Sequence, residues 1–275
     1  MSEGIFKDGD LIRVVASEGI LIASGGAASL LQTAHPQVGQ GVYDHSYTAA
    51  DPMGRLRHTM GWVYTVVCGR RSEAEQVSAL VRRMHDQVTG PGYYANDPQL
   101  QVWVSATLFA VAAQTYQYVF KRTFTEAELE EYYQQSKIFA TILGCPEDEL
   151  PADYPAFREY YAKMVNSLEI SDASRAVADQ VLYPKLPFFL TPGLALIRLL
   201  TAGLMPAPIR EQYGWAWSRG RARRFRLLMN AIALVYPRLP RRVRFLPRDV
   251  YLRSTRTMLT KMTDARPRTV IRSTG

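Results

Sequence analysis

The stretch VWVSATLFAVAAQTYQYVFKR, residues 102–122, decides the fold class. Its apolar run is too long for a strand and carries too little charge for a helix that lies on the surface. It reads as a central, largely buried helix. Moving outward, SEAEQVSALVRRMHDQVTG (72–90) reads as a second helix, opened by Ser72 as N-cap and closed at Gly90. On the other side, Thr125 precedes EAELEEYYQQSKIFATILG, whose early glutamates suit a helix N-terminus and whose Gly144 suits its end. Pro155 starts AFREYYAKMVNSL, and Ser171 caps DASRAVADQVLY. Alternating strand patterns joined by Asn-Gly or Asp-Gly turns are absent. The expectation is all-α, one globular domain: an N-terminal segment 1–24, a helical body 25–217 and a basic extension 218–275 packed on it. In that extension PRLPRRVRFLPRDVYLRSTR (237–256) is punctuated by Pro237, Pro240 and Pro247, which predicts extended segments wrapping the body before a last short helix.

At 275 residues the chain can build a core large enough to enclose a ligand. Cys68 and Cys145 are the only cysteines and lack metal-type spacing, so a reducing cytoplasm is expected. The N-terminal apolar residues are interrupted by Asp8, Asp10, Arg13 and Glu18. The most apolar segment, Phe188 to Met205, is interrupted by Pro192 and Arg198. Neither a signal segment nor a membrane span is therefore expected. GGAAS at 25–29 lacks the dinucleotide fingerprint, and no GxxxxGK[ST] occurs.

The net charge of +8 is unevenly spread: residues 198–275 hold 18 Lys/Arg against 3 Asp/Glu, whereas the first 197 sum to −7 (15 basic less 22 acidic). Such asymmetry marks a basic surface for an anionic partner, or an arginine-rich end lying on its own acidic body. No nucleic-acid motif accompanies it, so self-association or peripheral contact with a membrane is expected before nucleic-acid binding.

Four histidines are candidates for chemistry. His85 sits at the edge of an apolar arc formed by Val77, Leu80, Val81, Met84 and Val88, where it is either a hydrogen-bonded core residue or a ligand. Arg55 and Thr59 are four apart and share a helical face, with His58 adjacent and Trp62 extending the face. This trio is either a salt-bridged patch, with Asp44 or Asp51 as partner, or a polar group directed into an apolar cavity. His35 precedes Pro36 at a helix end, and His45 falls in a turn. EAELEEYY solvates its helix face.

Five segments carry a resemblance: LLQTAHPQVGQGVYDHSYTAADPMGRLRHTMGWVYTVVCG (30–69), VRRMHDQVTG (81–90), YYANDPQLQVWVSATL (93–108), YYQQSKIFATILGCPEDELP (132–151) and LIRLLTAGLMPAPIREQYGWAW (196–217). In this order they resemble the MpaB-type oxygenase family that includes the latex-clearing rubber oxygenases. The resemblance implies a globin-reminiscent helical domain that binds haem b, with His85 as proximal iron ligand. It places Arg55 and Thr59 in the distal pocket. Relatives can carry a lysine between these two as a distal ligand, and this chain has His58 there, as a distal iron ligand or as a proton-handling group. Asp44 is the nearest counterpart of a proposed base, and Arg82, Arg83, Arg198 and Arg210 are candidates for the haem propionates. The implied function is a haem-dependent oxygenase using O₂ or peroxide on a small apolar or aromatic substrate. The alternatives are a carrier or redox and gas sensor with bis-histidine iron through His58 and His85, and a haem enzyme of non-oxygen chemistry such as a dehydratase or dehydrogenase.

Overall fold

The structure, a computed structural model, describes residues 3–45, 52–184 and 191–264. The chain runs through α1 (Leu11–Ala16), α2 (Gly25–Thr33), α3 (Pro36–His45), α4 (Pro52–Cys68) and α5 (Arg71–His85). A small ladder, β1 (Thr89–Gly90) with β2 (Tyr93–Tyr94), leads into α6 (Pro98–Phe120). Then follow α7 (Glu126–Ser136), α8 (Ile138–Thr141), α9 (Tyr154–Ser167), α10 (Asp172–Leu182), α11 (Thr191–Leu204) and α12 (Ala207–Gln212). The last three are α13 (Arg219–Val235), α14 (Arg241–Arg244) and α15 (Leu246–Asp264). The fold is all-α.

α6 is the axis, as its sequence requires. Asp97 caps it by accepting the Gln99 N–H at 2.8 Å, Pro98 occupies the first turn, and Lys121 ends it in a left-handed conformation (φ 49°). Because it is apolar all round, it forms a wall of two cores at once. Ala106, Phe109, Ala113 and Tyr116 face a core shared with α1, α4, α5, α7 and α9. Trp103, Val111 and Val119 face a second core built with α2, α10, α11, α12 and α13. The first core is rich in rings: Phe109 lies 4.8 to 6.0 Å, centroid to centroid, from Tyr132, Tyr133, Tyr154 and Phe157. Thr125 and Glu128 form a capping box at the start of α7.

Several boundaries differ from the sequence reading. α5 begins at Arg71 with Arg70 as N-cap, so Ser72 lies inside the helix, and it stops at His85 rather than Gly90. The residues beyond are taken by the β1–β2 hairpin, which turns through Pro91 and Gly92 (φ +82°). A Pro-Gly turn was the signal for that hairpin. The 126–144 segment breaks at Lys137 into α7 and α8, and Gly144 (φ +98°) closes it as expected. His45 ends α3 instead of sitting in a turn. Met84 is 50% exposed, so the apolar arc of α5 is buried only in part.

The largest correction concerns the C-terminal stretch. Residues 237–256 do not wrap the body in extended form; they form a short 3₁₀ turn, α14 and most of the 19-residue α15. Pro240 immediately precedes α14 and Pro247 occupies the second position of α15, places where a missing N–H costs nothing. α15 packs along α4 in antiparallel register: Tyr251 stacks on Tyr64 at 5.8 Å, and Thr255 lies over Gly61, where an added Cβ would stand 3.0 Å from its hydroxyl. Among the described residues no helix is long and apolar enough to cross a membrane.

Candidate functional site

α4 and α5 form an antiparallel hairpin joined by Gly69 and Arg70. Its closed end is fixed by Glu73, whose carboxylate accepts the Arg70 N–H at 3.0 Å and pairs with Arg256 of α15 at 3.0 Å. Midway, the buried Trp62 indole N–H donates to the buried Ser78 hydroxyl at 2.9 Å. This bond sets which stripes face each other. Seven residues is close to two helical turns, so Arg55 and Trp62 share one stripe and Ser78 and His85 the other. Toward the open end, His58 and Thr59 on α4 come level with Val81 and Arg82 on α5, and Arg55 comes level with His85. The side chain of Arg55 lies outside the described residues, as does all of Asp51. His58 and Thr59 are exposed.

His85 closes α5, and its carbonyl accepts the Val88 N–H at 2.9 Å. Burial holds its imidazole below the ordinary value of 6.5, against the opposing pull of a hydrogen bond with Asn96 and the charge of Asp86. The ring is therefore neutral at pH 7. Nδ1 is buried and has no hydrogen-bond partner. Asn96 is itself held, donating to Asp86 at 2.7 Å and to the Arg82 carbonyl at 3.3 Å. A neutral imidazole with an unpartnered ring nitrogen has the chemistry to hold a haem iron.

On the other flank of α4 the second half of α15 borders a shallow, open surface depression lined by Ser254, Thr257, Met258, Lys261 and Met262. The pairings Tyr64–Tyr251 and Gly61–Thr255 bring Met258 level with His58, and Met262 level with the buried Gly54. Sequence reasoning missed both α15 and Asn96. Asn96 sits one residue before the cap of α6, and α15 was hidden by the prolines preceding it.

The remaining candidates are spread over the molecule. Asp44 is exposed and accepts from Tyr93 OH at 2.7 Å and Gln40 at 2.9 Å, and the Tyr93 bond lowers its pKa. His45 contacts the same tyrosine at 3.0 Å. Arg82 and Arg83 are exposed, and the Arg82 guanidinium lies against Gly144. Arg198 lies over Tyr183 at 4.7 Å. Arg210 donates to the carbonyls of Ala202 and Met205 and covers Trp217 at 4.5 Å, which ties it to the end of α11. Among the described residues no three His, Cys, Asp or Glu side chains group as a bare-metal site. A lone imidazole suffices, however, for iron already held in a porphyrin plane.

His35 lies between α2 and α3, and burial lowers its pKa also, opposed by the charge of Asp97. The unfolded chain then takes up the proton first as pH falls. Stability contributed by the neutral ring is complete above the ordinary value of 6.5 and is lost below it, by at most about 1.4 kcal/mol per pH unit. Denaturant melts from pH 8 to pH 5 should show that decline, and His35→Gln should flatten it.

A family profile described as the catalytic domain of ER-bound oxygenase mpaB/B′ and rubber oxygenase matches residues 12–234. Two mycobacterial relatives, the uncharacterized proteins Mb2261 of Mycobacterium bovis and Rv2237 of Mycobacterium tuberculosis, are each 27% identical over 237 residues, covering 81% of this chain and 91% of the relative. No solved structure matches the chain significantly.

Proposed function

Because the chain belongs to the family of mpaB and rubber-oxygenase catalytic domains, we propose that it is a haem b-dependent oxygenase acting on a small apolar or aromatic compound, with His85 as the proximal ligand. The observation that carries the reading is the neutral, partly buried His85, with an unpartnered ring nitrogen, on the stripe of α5 set against Trp62 of α4 and level along the hairpin with Arg55. Haem, when bound, supplies the redox iron at which dioxygen or peroxide is activated. The polypeptide does the rest. Asn96 orients the His85 ring and tunes its basicity. Thr59 and Arg55 supply hydrogen-bond donors where negative charge develops on the oxidant. His58 would take or return a proton, or would be a second residue able to hold the iron. Met258 and Met262 of α15, level with His58 and Gly54, offer substrate an adaptable apolar surface.

The test is ligand exchange on haem-loaded protein. The oxygenase reading expects cyanide and CO to bind readily, and the His58→Ala protein to bind them faster and lose any low-spin bis-histidine spectrum. Refusal of both ligands by the native protein would favour the carrier reading instead.

A further inference from the structure

α13 carries unpaired charge and exposed apolar side chains on one and the same outward face. Ala222, Phe225, Met229 and Ile232, spaced three and four apart, turn inward, and Phe225 and Met229 are buried in the core shared with α6 and α11. The opposite side of the helix is Arg223, Leu227, Ala231 and Leu234, again at helical spacing, and all four are exposed. Leu227, Leu234 and the adjoining Val235 are 58%, 60% and 58% exposed. Arg219, Arg224 and Arg226 flank this stripe and are exposed as well. Lys121, at the end of α6, joins the flank by donating to the Asn230 amide oxygen at 2.7 Å.

The cations have no counter-charge of their own. Residues 212–248 hold ten arginines and no aspartate or glutamate. Among the described residues, none of Arg219, Arg223, Arg224 and Arg226 has a carboxylate at ion-pair distance. Arg221 differs, being turned back on the Ala216 carbonyl at 2.6 Å. A nucleic-acid backbone would use the cations but leave Leu227, Leu234 and Val235 in water. A second copy laid on the same face would set arginine against arginine. A bilayer with anionic headgroups engages both kinds of residue together, because aliphatic side chains enter the headgroup boundary while guanidiniums on long stems reach the phosphates. We propose that the outward face of α13 docks on an anionic lipid bilayer. The 17-residue helix, about 25 Å long, lies flat in the interface with Leu227, Leu234 and Val235 inserted and the four flanking and central arginines on lipid phosphates. α13 packs on α6 and α11, so this docking does not depend on what His85 of α5 binds.

Flotation of the full chain with lipid vesicles tests this. Vesicles of phosphatidylglycerol mixed with phosphatidylcholine should bind it roughly tenfold or more tightly than phosphatidylcholine alone at about 0.1 M salt. The pair Arg223→Gln and Arg224→Gln should weaken that binding about tenfold, and the pair Leu227→Ser and Leu234→Ser by a similar factor. Thermal melts of both variants should match the native chain, since all four side chains are exposed. Equal binding to both vesicles, no binding, or leucine variants that bind like the native chain would overturn the proposal. So would duplex DNA binding that ignores the leucine changes and occurs without vesicle binding, which would assign the face to a nucleic-acid backbone. A lipid-insensitive dimer that the leucine changes dissolve would overturn it too, assigning the face to a second copy.

Discussion

Protein carrying alanine in place of His85 is expected to emerge from haem reconstitution colourless, its haem affinity lowered by roughly a hundredfold or more. The expectation follows from position. His85 ends α5 on the stripe fixed by the Trp62–Ser78 hydrogen bond, its ring is neutral, and one ring nitrogen is buried without a protein partner. Removing the ring leaves the proximal position empty, and Asn96 cannot reach round to replace it as a strong ligand. His85→Gly supplied with free imidazole should recover the Soret band, which separates loss of a ligand from loss of the fold. Asn96→Ala should bind haem about 10–100-fold more weakly while keeping the same axial nitrogen. Full haem occupancy and an unchanged Soret spectrum in His85→Ala would remove His85 from the site.

The largest expected effect on stability is that of Trp103→Ala. Trp103 is completely buried in the N-terminal third of α6, stacks on Tyr161 at 6.0 Å, and donates its indole N–H to the Gln32 carbonyl at 3.1 Å. Truncation opens a cavity in the core that joins α6 to α2, α10 and α13 and leaves the Gln32 carbonyl with only the His35 N–H, at 3.2 Å. The expected cost is about 3–5 kcal/mol, a large share of the roughly 5–15 kcal/mol that holds a domain folded. Trp103→Phe keeps the stacking and should cost visibly less. Urea melts read both through their midpoints, and a native-like midpoint for Trp103→Ala would contradict the central place given to α6.

How much of this was legible in the sequence depends on the kind of signal. α6 announced itself because a helix buried on all sides must be apolar on all sides. The caps at Thr125 and Ser171 were legible because orphan N–H groups at helix starts need local partners, and Pro155 was legible because a first turn tolerates its missing N–H, although the cap of α9 is Asp153. α15 was not: its prolines break helices in general but are tolerated in a first turn, and only its packing on α4 shows which applies. The end of α5 was misplaced because the Pro91-Gly92 turn draws the chain into a hairpin, a competition that periodicity does not register.

The site divides in the same way. Helical spacing put Arg55 and Thr59 on one face, and the structure adds which face of α5 lies opposite: the Trp62–Ser78 bond makes it the one carrying His85. Asn96 and the methionines of α15 could not be found from spacing, because they meet this hairpin only through tertiary packing. Arg198 and Arg210 carried no signal separating them from other arginines, and the structure gives them structural tasks beside Tyr183 and Trp217.

The most direct measurement is the absorption spectrum of the native full-length protein purified after expression with haem supplied. The account predicts a red-brown protein with a Soret band, a pyridine haemochrome of b-type haem, and about one haem per chain, as one His85 per chain implies. A colourless protein that takes up no haem on titration would contradict it.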